Sequence, residues 1–289
     1  MNVIYAHITD IKLPFSSELN ECKWTYDGLP DYSKYSIDNT AKLGDNVVVI
    51  NDQDVTDSIL NQIIEIYNIC KSEWPSYYKD PFWLLTLMRL YVVYYYVKEN
   101  NISEFVHMEY DNITYNSCDH LQKLPPGIYF TQVGPQCGSA GFMFCNSLKH
   151  FEKFISRLNN LLSQGQNRVK QFTSYDHISE MIMIDLIHTH SNDINYLPLL
   201  PSDEYYDILN YVYDGASYGQ FLGGTNNGHS KGWYGSHHYV GQQIQQKNIT
   251  KINIPEDSRP LQPVLDYKHH TANIFNLHMH NKNVIPEFI

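Results

Sequence analysis

Two short stretches of the chain carry side chains of the types that bind cations and phosphates. The first is His107-Met108-Glu109-Tyr110-Asp111-Asn112. Glu109 and Asp111 are two residues apart, so in an extended strand both carboxylates face the same way. Two such carboxylates at the open end of a strand repel unless a cation sits between them. Mg²⁺ or Mn²⁺ carrying a diphosphate is the natural occupant, because hard cations take oxygen ligands. A solvated strand end is the plainer alternative. The second stretch is Leu277-His278-Met279-His280-Asn281-Lys282. Alternation in a strand would put His278, His280 and Lys282 on one face and Leu277 and Met279 on the other. A metal ligand followed by a cation that reaches a phosphate is a coherent pair of roles. A chain with 14 His also produces such pairs by chance.

The elements that must position these groups can be read from periodicity. Asn2–Ile8 and Val47–Ile50 are apolar runs expected as strands. Ile59, Leu60, Ile63, Ile64, Ile66 and Tyr67 recur at helical spacing between Asp57 and Ser72. Pro81 opens a second helix over Phe82–Lys98, which holds Arg89 within an apolar stretch. Strands follow at 105–109, 127–133 and 141–145, then amphipathic helices at 148–162 and 173–187, the latter with Thr173 and Asp176 in capping-box spacing. The segment 214–241 holds eight of fifteen Gly and reads as a loop, and 274–280 reads as one late strand. Strands alternating with helices predict an α/β fold: a central mixed, mainly parallel sheet flanked by helices, with ligands at the carboxyl ends of strands. The length of 289 residues fits a single domain.

Composition narrows the functions. The net charge is -11, with no Lys/Arg block, so nucleic acid is not an expected partner. An acidic chain handling a phosphorylated substrate needs a metal or well-placed cations. Five Cys without zinc spacing point to a reduced compartment. No signal peptide or transmembrane segment is expected, since the most apolar run is interrupted by Arg89, so a cytoplasmic location is expected. No GxGxxG follows the first strand and no P-loop motif occurs.

Taken in order, these parts resemble GT-A-type nucleotide-sugar glycosyltransferases: a strand ending in acids, a Gly/Ser-entered strand, an acidic helix start, then a C-terminal His and Lys. Glu109-Tyr110-Asp111 is similar to their DxD motif, with Glu in place of the first Asp. Leu277-His278-Met279-His280-Asn281-Lys282-Asn283 resembles the HxHxKN ending of small glycosyltransferases of bacteria and large DNA viruses, and Asp214–Thr225 also resembles a segment of that group.

The resemblance implies a GT-A-like fold with a nucleotide-binding half to about residue 115 and an acceptor half plus C-terminal metal-site segment beyond it, a UDP- or GDP-sugar donor, a glycan or other hydroxyl acceptor, Mn²⁺ or Mg²⁺, and, for a viral chain, a location in the host cytoplasm. Asp111 would hold the metal, Glu109 the ribose or a metal-bound water, and His278 or His280 would complete the metal shell. Lys282 would neutralise the leaving diphosphate. The base would pack near Ala6 and His7. Arg89 would reach the donor, or else form a buried structural ion pair. An inverting course needs a general base, which the resemblance places at Asp176, with Glu180 one turn further; helix capping also explains Asp176, and a retaining course needs no such base. The aromatic stretch 215–241 offers Trp233 and Tyr234 for sugar stacking. A metal-dependent phosphoester or nucleotide hydrolase and a non-catalytic carbohydrate-binding protein are the competing functions. Oligomeric state is not legible.

Overall fold

The computed structural model describes residues 1–6, 31–51, 53–75, 81–175, 178–226, 228–255 and 261–289. The chain runs β1 (Asn2–Ala6), α1 (Asp31–Lys42), β2 (Asn46–Ile50), α2 (Asp57–Glu73), α3 (Pro81–Glu99), β3 (Phe105–Met108) and β4 (Asn112–Thr114). It continues with β5 (Ile128–Gly134), β6 (Cys137–Cys145), α4 (Leu148–Gln164), α5 (Gln166–Val169), α6 (Glu180–His190) and β7 (Asn195–Tyr196). Then come α7 (Tyr206–Leu209), β8 (Tyr211–Val212), α8 (Ser217–Gly223), α9 (Tyr239–Gln245), β9 (Ile249–Asn253), β10 (Val264–Tyr267), β11 (His270–Ile274) and β12 (Asn276–His278). A 3₁₀ turn, Lys282–Phe288, closes the chain.

Among the described residues the main sheet has six strands in the order β2-β1-β3-β6-β5-β7. β1 pairs parallel with β2 on one side and β3 on the other, and β5 pairs parallel with β7. β6 runs antiparallel between β3 and β5. The sheet is therefore mixed and mainly parallel, as expected. The chain leaves β1 for β2 and later returns to β3 on the opposite side of β1. That reversal opens a crevice at the carboxyl ends of β1 and β3, where ligands bind in open α/β sheets.

Helices cover the sheet because their apolar residues match its buried strands. α2 begins at Thr56, whose hydroxyl accepts from the Ile59 amide at 3.2 Å, and buries Ile59, Ile63, Ile66, Tyr67 and Cys70 at helical spacing. α3 is apolar nearly all round, as a helix wedged between others must be; it packs on α2, α4, α6 and β1. The core between these helices and the sheet includes Ile4, Leu87, Met88, Tyr91, Phe130, Phe154 and Ile184. The other face of the sheet packs Tyr5, Val106, Phe142, Phe144, Tyr213 and Phe275.

A second sheet, β8-β11-β10-β9, builds its own core from residues such as Val212, Tyr218, Leu265, Ile274, Leu277 and Phe288. The antiparallel pair β4–β12 joins the two regions, with His278 opposite Asn112. No helix among the described residues is long and apolar enough to cross a membrane.

Three elements differ from the sequence expectation. The helix expected from Thr173 begins at Glu180 instead. Thr173 is extended, and its hydroxyl accepts from the Tyr175 amide at 3.2 Å, so it serves a local turn rather than a helix cap. The stretch 214–241 is not loop throughout, since α8 lies within it and α9 starts there. The late strand is interrupted: β11 ends at Ile274, β12 at His278, and Lys282 starts the 3₁₀ turn.

Candidate metal and diphosphate site

Glu109 and Asp111 lie just past the carboxyl end of β3, on the crevice side of the sheet. Their loop is tied to β6, where the Glu109 amide and the Asn112 side-chain amide each donate to the Gly141 carbonyl at 2.8 Å. A β-carbon at Gly141 would stand 2.8 Å from His278 Cε1 and 3.0 Å from the Glu109 carboxylate, so only glycine leaves room there. β12 brings the far end of the chain to this point. His278 Nε2 sits 3.1 Å from Glu109 Oε2 and 3.4 Å from Asp111 Oδ1. Lys282 pairs with Asp111 Oδ2 and donates to the Met279 carbonyl at 3.1 Å. Arg89, from α3, pairs with Glu109 Oε1.

The donor set fits a divalent cation. Glu109, Asp111 and His278 offer two carboxylate oxygens and an imidazole nitrogen, all within 4.8 Å of one another. His278 Nδ1 lies 2.8 Å from the Gly215 carbonyl, which can only accept, so Nδ1 carries the hydrogen and Nε2 is turned to the carboxylates. Among the described residues the buried Asp111 Oδ1 has no hydrogen-bond partner, an oxygen left over for a further ligand. An oxygen-rich set with one imidazole suits Mn²⁺ or Mg²⁺ better than the thiolate sets of structural zinc.

Charges in the site are strongly interdependent. Burial opposes ionisation of Glu109, but Arg89, His278 and Lys282 outweigh it and hold the carboxyl well below the usual range. Burial likewise opposes protonation of His278, while its bond to Glu109 and the nearby acids raise its pKa. Burial lowers the Lys282 ammonium to about 8 against the pull of Glu109. Glu180, at the first turn of α6, is almost fully buried. That burial raises its carboxyl to about 7, against the 2.7 Å bond from Thr86 and the charge of Arg89.

The structure brings together Glu109, Asp111, His278, Lys282 and Arg89, and places Glu180 on the neighbouring helix. Arg89 takes the ion-pair role, on Glu109 itself. His280 is not among the cluster. Its ring faces Gln220, whose side-chain nitrogen is 3.2 Å from each ring nitrogen, and burial lowers its pKa to about 4. The strand has ended by that point, so the simple alternation that grouped His278 with His280 no longer applies. Ala6 ends β1, opposite Ile50. His7 and Asp176 lie outside the described residues.

No protein-family model matches the chain, and no curated protein does either. Some solved structures are similar to it over part of the chain. The apo form of mouse xyloside xylosyltransferase 1 is 9% identical, with 73% of this chain and 93% of that one covered at a TM-score of 0.42. The galactosyltransferase LgtC, solved in complex with donor and acceptor sugar analogs, is 10% identical, with 68% and 73% covered at 0.33.

Asp214 is a site residue to which the sequence reading gave no role. It is completely buried, and its two carboxylate oxygens accept four backbone amides. The four donors lie between two and 64 residues downstream, and the farthest is reached only through the β4–β12 pairing. The sequence cues are an acidic residue opening the glycine-rich stretch and the resemblance of Asp214–Thr225 to a glycosyltransferase segment.

Proposed function

We propose that the protein is a metal-dependent glycosyltransferase that moves a sugar from a nucleoside-diphosphate donor to a hydroxyl acceptor. The observation that carries this reading is the convergence of Glu109, Asp111, His278 and Lys282 at the carboxyl end of β3, with the buried Asp111 Oδ1 unsatisfied. A cation held by Glu109, Asp111 and His278 would supply positive charge to the donor's diphosphate. Lys282 and Arg89 are the cations this acidic chain keeps at the same place. A diphosphate entering the crevice would draw Lys282 from Asp111, so that its charge meets the leaving oxygen as the glycosidic bond breaks. Arg89 stays on Glu109 and fixes its carboxylate. Asp176 and Glu180, whose carboxyl burial raises to about 7, are the two candidates for the general base that an inverting course needs.

The test is a panel of UDP- and GDP-sugars with Mn²⁺, read by thermal shift and by slow donor hydrolysis. One intact nucleotide sugar should be preferred, and its nucleoside diphosphate should protect. Asp111→Asn should weaken Mn²⁺-dependent protection at least tenfold. Rapid consumption of simple nucleotides would favour a phosphoester hydrolase instead, and indifference to every nucleotide would favour a carbohydrate-binding protein. Asp176→Asn and Glu180→Gln, compared for transfer against donor binding, decide between the two bases.

A further inference from the structure

The glycine-rich stretch that begins at Asp214 bonds to both the backbone and the ring of His278, the imidazole beside the acidic pair. Asp214 Oδ1 accepts from the Ala216 and Tyr218 amides, both at 2.9 Å. Asp214 Oδ2 accepts from the Gly219 amide at 2.7 Å and from the His278 amide at 2.9 Å. Burial raises the pKa of this carboxyl, and the four backbone donors oppose that by favouring the carboxylate. The next residue, Gly215, supplies the carbonyl that receives His278 Nδ1. His278 is thus gripped twice by adjacent residues, at its backbone through Asp214 and at its ring through Gly215.

The remaining geometry points the same way. A β-carbon at Gly219 would fall on the His278 carbonyl oxygen and come within 3.1 Å of Asp214 Oδ2. A β-carbon at Gly215 would meet the Gln132 carbonyl of β5 at 2.6 Å. Asn276 adds a cross-tie: its side chain accepts from the Asp214 amide at 3.1 Å and donates to the Asp214 carbonyl at 3.0 Å and to Asn112 Oδ1 at 2.8 Å. Asn112 is the residue after Asp111. One continuous set of bonds therefore runs from Asp214 to both halves of the cation site.

We infer that Asp214 is a positioning residue for the cation site: its carboxylate, with the Gly215 carbonyl, sets the placement of His278 so that Nε2 faces Glu109 and Asp111. The inference rests on the metal reading proposed above. A residue that orients a ligand without touching the ion ordinarily changes metal affinity by about 10- to 100-fold when altered.

Asp214→Asn tests it. Seated with its oxygen on the Ala216 and Tyr218 amides, asparagine would set its NH₂ against the His278 and Gly219 amides, so the half of the contact that holds His278 is lost. Gly219→Ala is the second variant, because it presses on the His278 carbonyl from the other side and leaves the carboxylate in place. Three readouts are taken on the full chain: Mn²⁺ affinity, ¹⁴N modulation of the bound Mn²⁺ electron-spin echo, and the His278 Nδ1–H proton resonance without metal. That resonance is assigned by its absence in His278→Gln. In wild type the ¹⁴N modulation should be present and the Nδ1–H should exchange slowly. Both variants should melt cooperatively, bind Mn²⁺ 10- to 100-fold more weakly, lose the modulation and show fast Nδ1–H exchange. Wild-type affinity and modulation in a folded Gly219→Ala protein would overturn the inference. Failure of the wild type to bind Mn²⁺ would sink the metal reading, and the positioning claim would then be decided by the Nδ1–H signal alone. A resonance equally protected in wild type and both variants would end it.

Discussion

Glu180 is a carboxyl group held where its own charge is opposed. Its folded pKa of about 7 lies above the ordinary 4.5 of a glutamate, because burial disfavours the anion more than Thr86 and Arg89 favour it. The folded state therefore binds a proton that the unfolded chain has released across this interval. Stability is fully present below about pH 4.5 and is lost as pH rises toward 7, by on the order of 3 kcal/mol at roughly 1.4 kcal/mol per pH unit. Glu180→Gln removes the charge and keeps an acceptor for the Thr86 hydroxyl. It should match wild type near pH 5 and exceed it by about 1–3 kcal/mol near pH 8, in urea melts at the two values. Parallel melts of wild type and variant at both pH values would show that Glu180 is not strained in this way. A loss of transfer in the same variant, with donor binding kept, is what a proton-carrying role adds.

At the scale of elements, the parts that were legible are those whose signal is local. The acidic pair could be read because it closes an apolar strand, although Glu109 and Asp111 lie in the turn past β3 and not in an extended strand. α2 and α4 could be read because each carries its apolar face in its own sequence, and α3 because it is a long apolar run opened by Pro81. Residues that depend on distant partners could not be read this way. Asp214 reaches His278 across 64 residues, and nothing near either announces the other. The start of α6 was misplaced because Thr173 and Asp176 carry a capping signature, while Thr173 in fact closes a turn. His280 was grouped with His278 on the assumption of an unbroken strand, and β12 stops at His278. The closing 3₁₀ turn bears on the same point. It looks like a dispensable tail, yet it buries Ile285 and Phe288 in the second core and packs on α1. Ile285→Ala should therefore cost about 2–4 kcal/mol, as deletion of a buried aliphatic side chain does. It should also weaken diphosphate binding, since the same turn begins with Lys282. An unchanged urea midpoint would return the segment to the status of a surface tail.

At the scale of the whole molecule, the site exists only when the chain is folded end to end. Asp111 and Lys282 are 171 residues apart, and the ion pair between them depends on β12 pairing with β4. An unfolded chain has the same side chains but no reason to bring them together, so a cation with a nucleoside diphosphate should bind the native state alone. Linkage then makes ligand a stabiliser, by about 2.7 kcal/mol at a hundredfold excess over Kd. For a chain of 289 residues the unfolding entropy is about 0.6 kcal/mol per kelvin, at roughly 2.1 cal/mol/K per residue, which converts that stabilisation into a rise in Tm of about 4 °C. The net charge of -11 sharpens the contrast. A bare diphosphate meets an acidic molecule whose cations at the site, among the described residues, are Lys282 and Arg89, whereas diphosphate with Mn²⁺ arrives largely neutralised. The rise should accordingly appear with Mn²⁺ and nucleoside diphosphate together, be much smaller with either alone, and vanish in Asp111→Asn. A full shift from the nucleotide in the presence of a chelator would mean that Lys282 and Arg89 bind the diphosphate by themselves, and that Glu109, Asp111 and His278 serve only to hold those two cations in place.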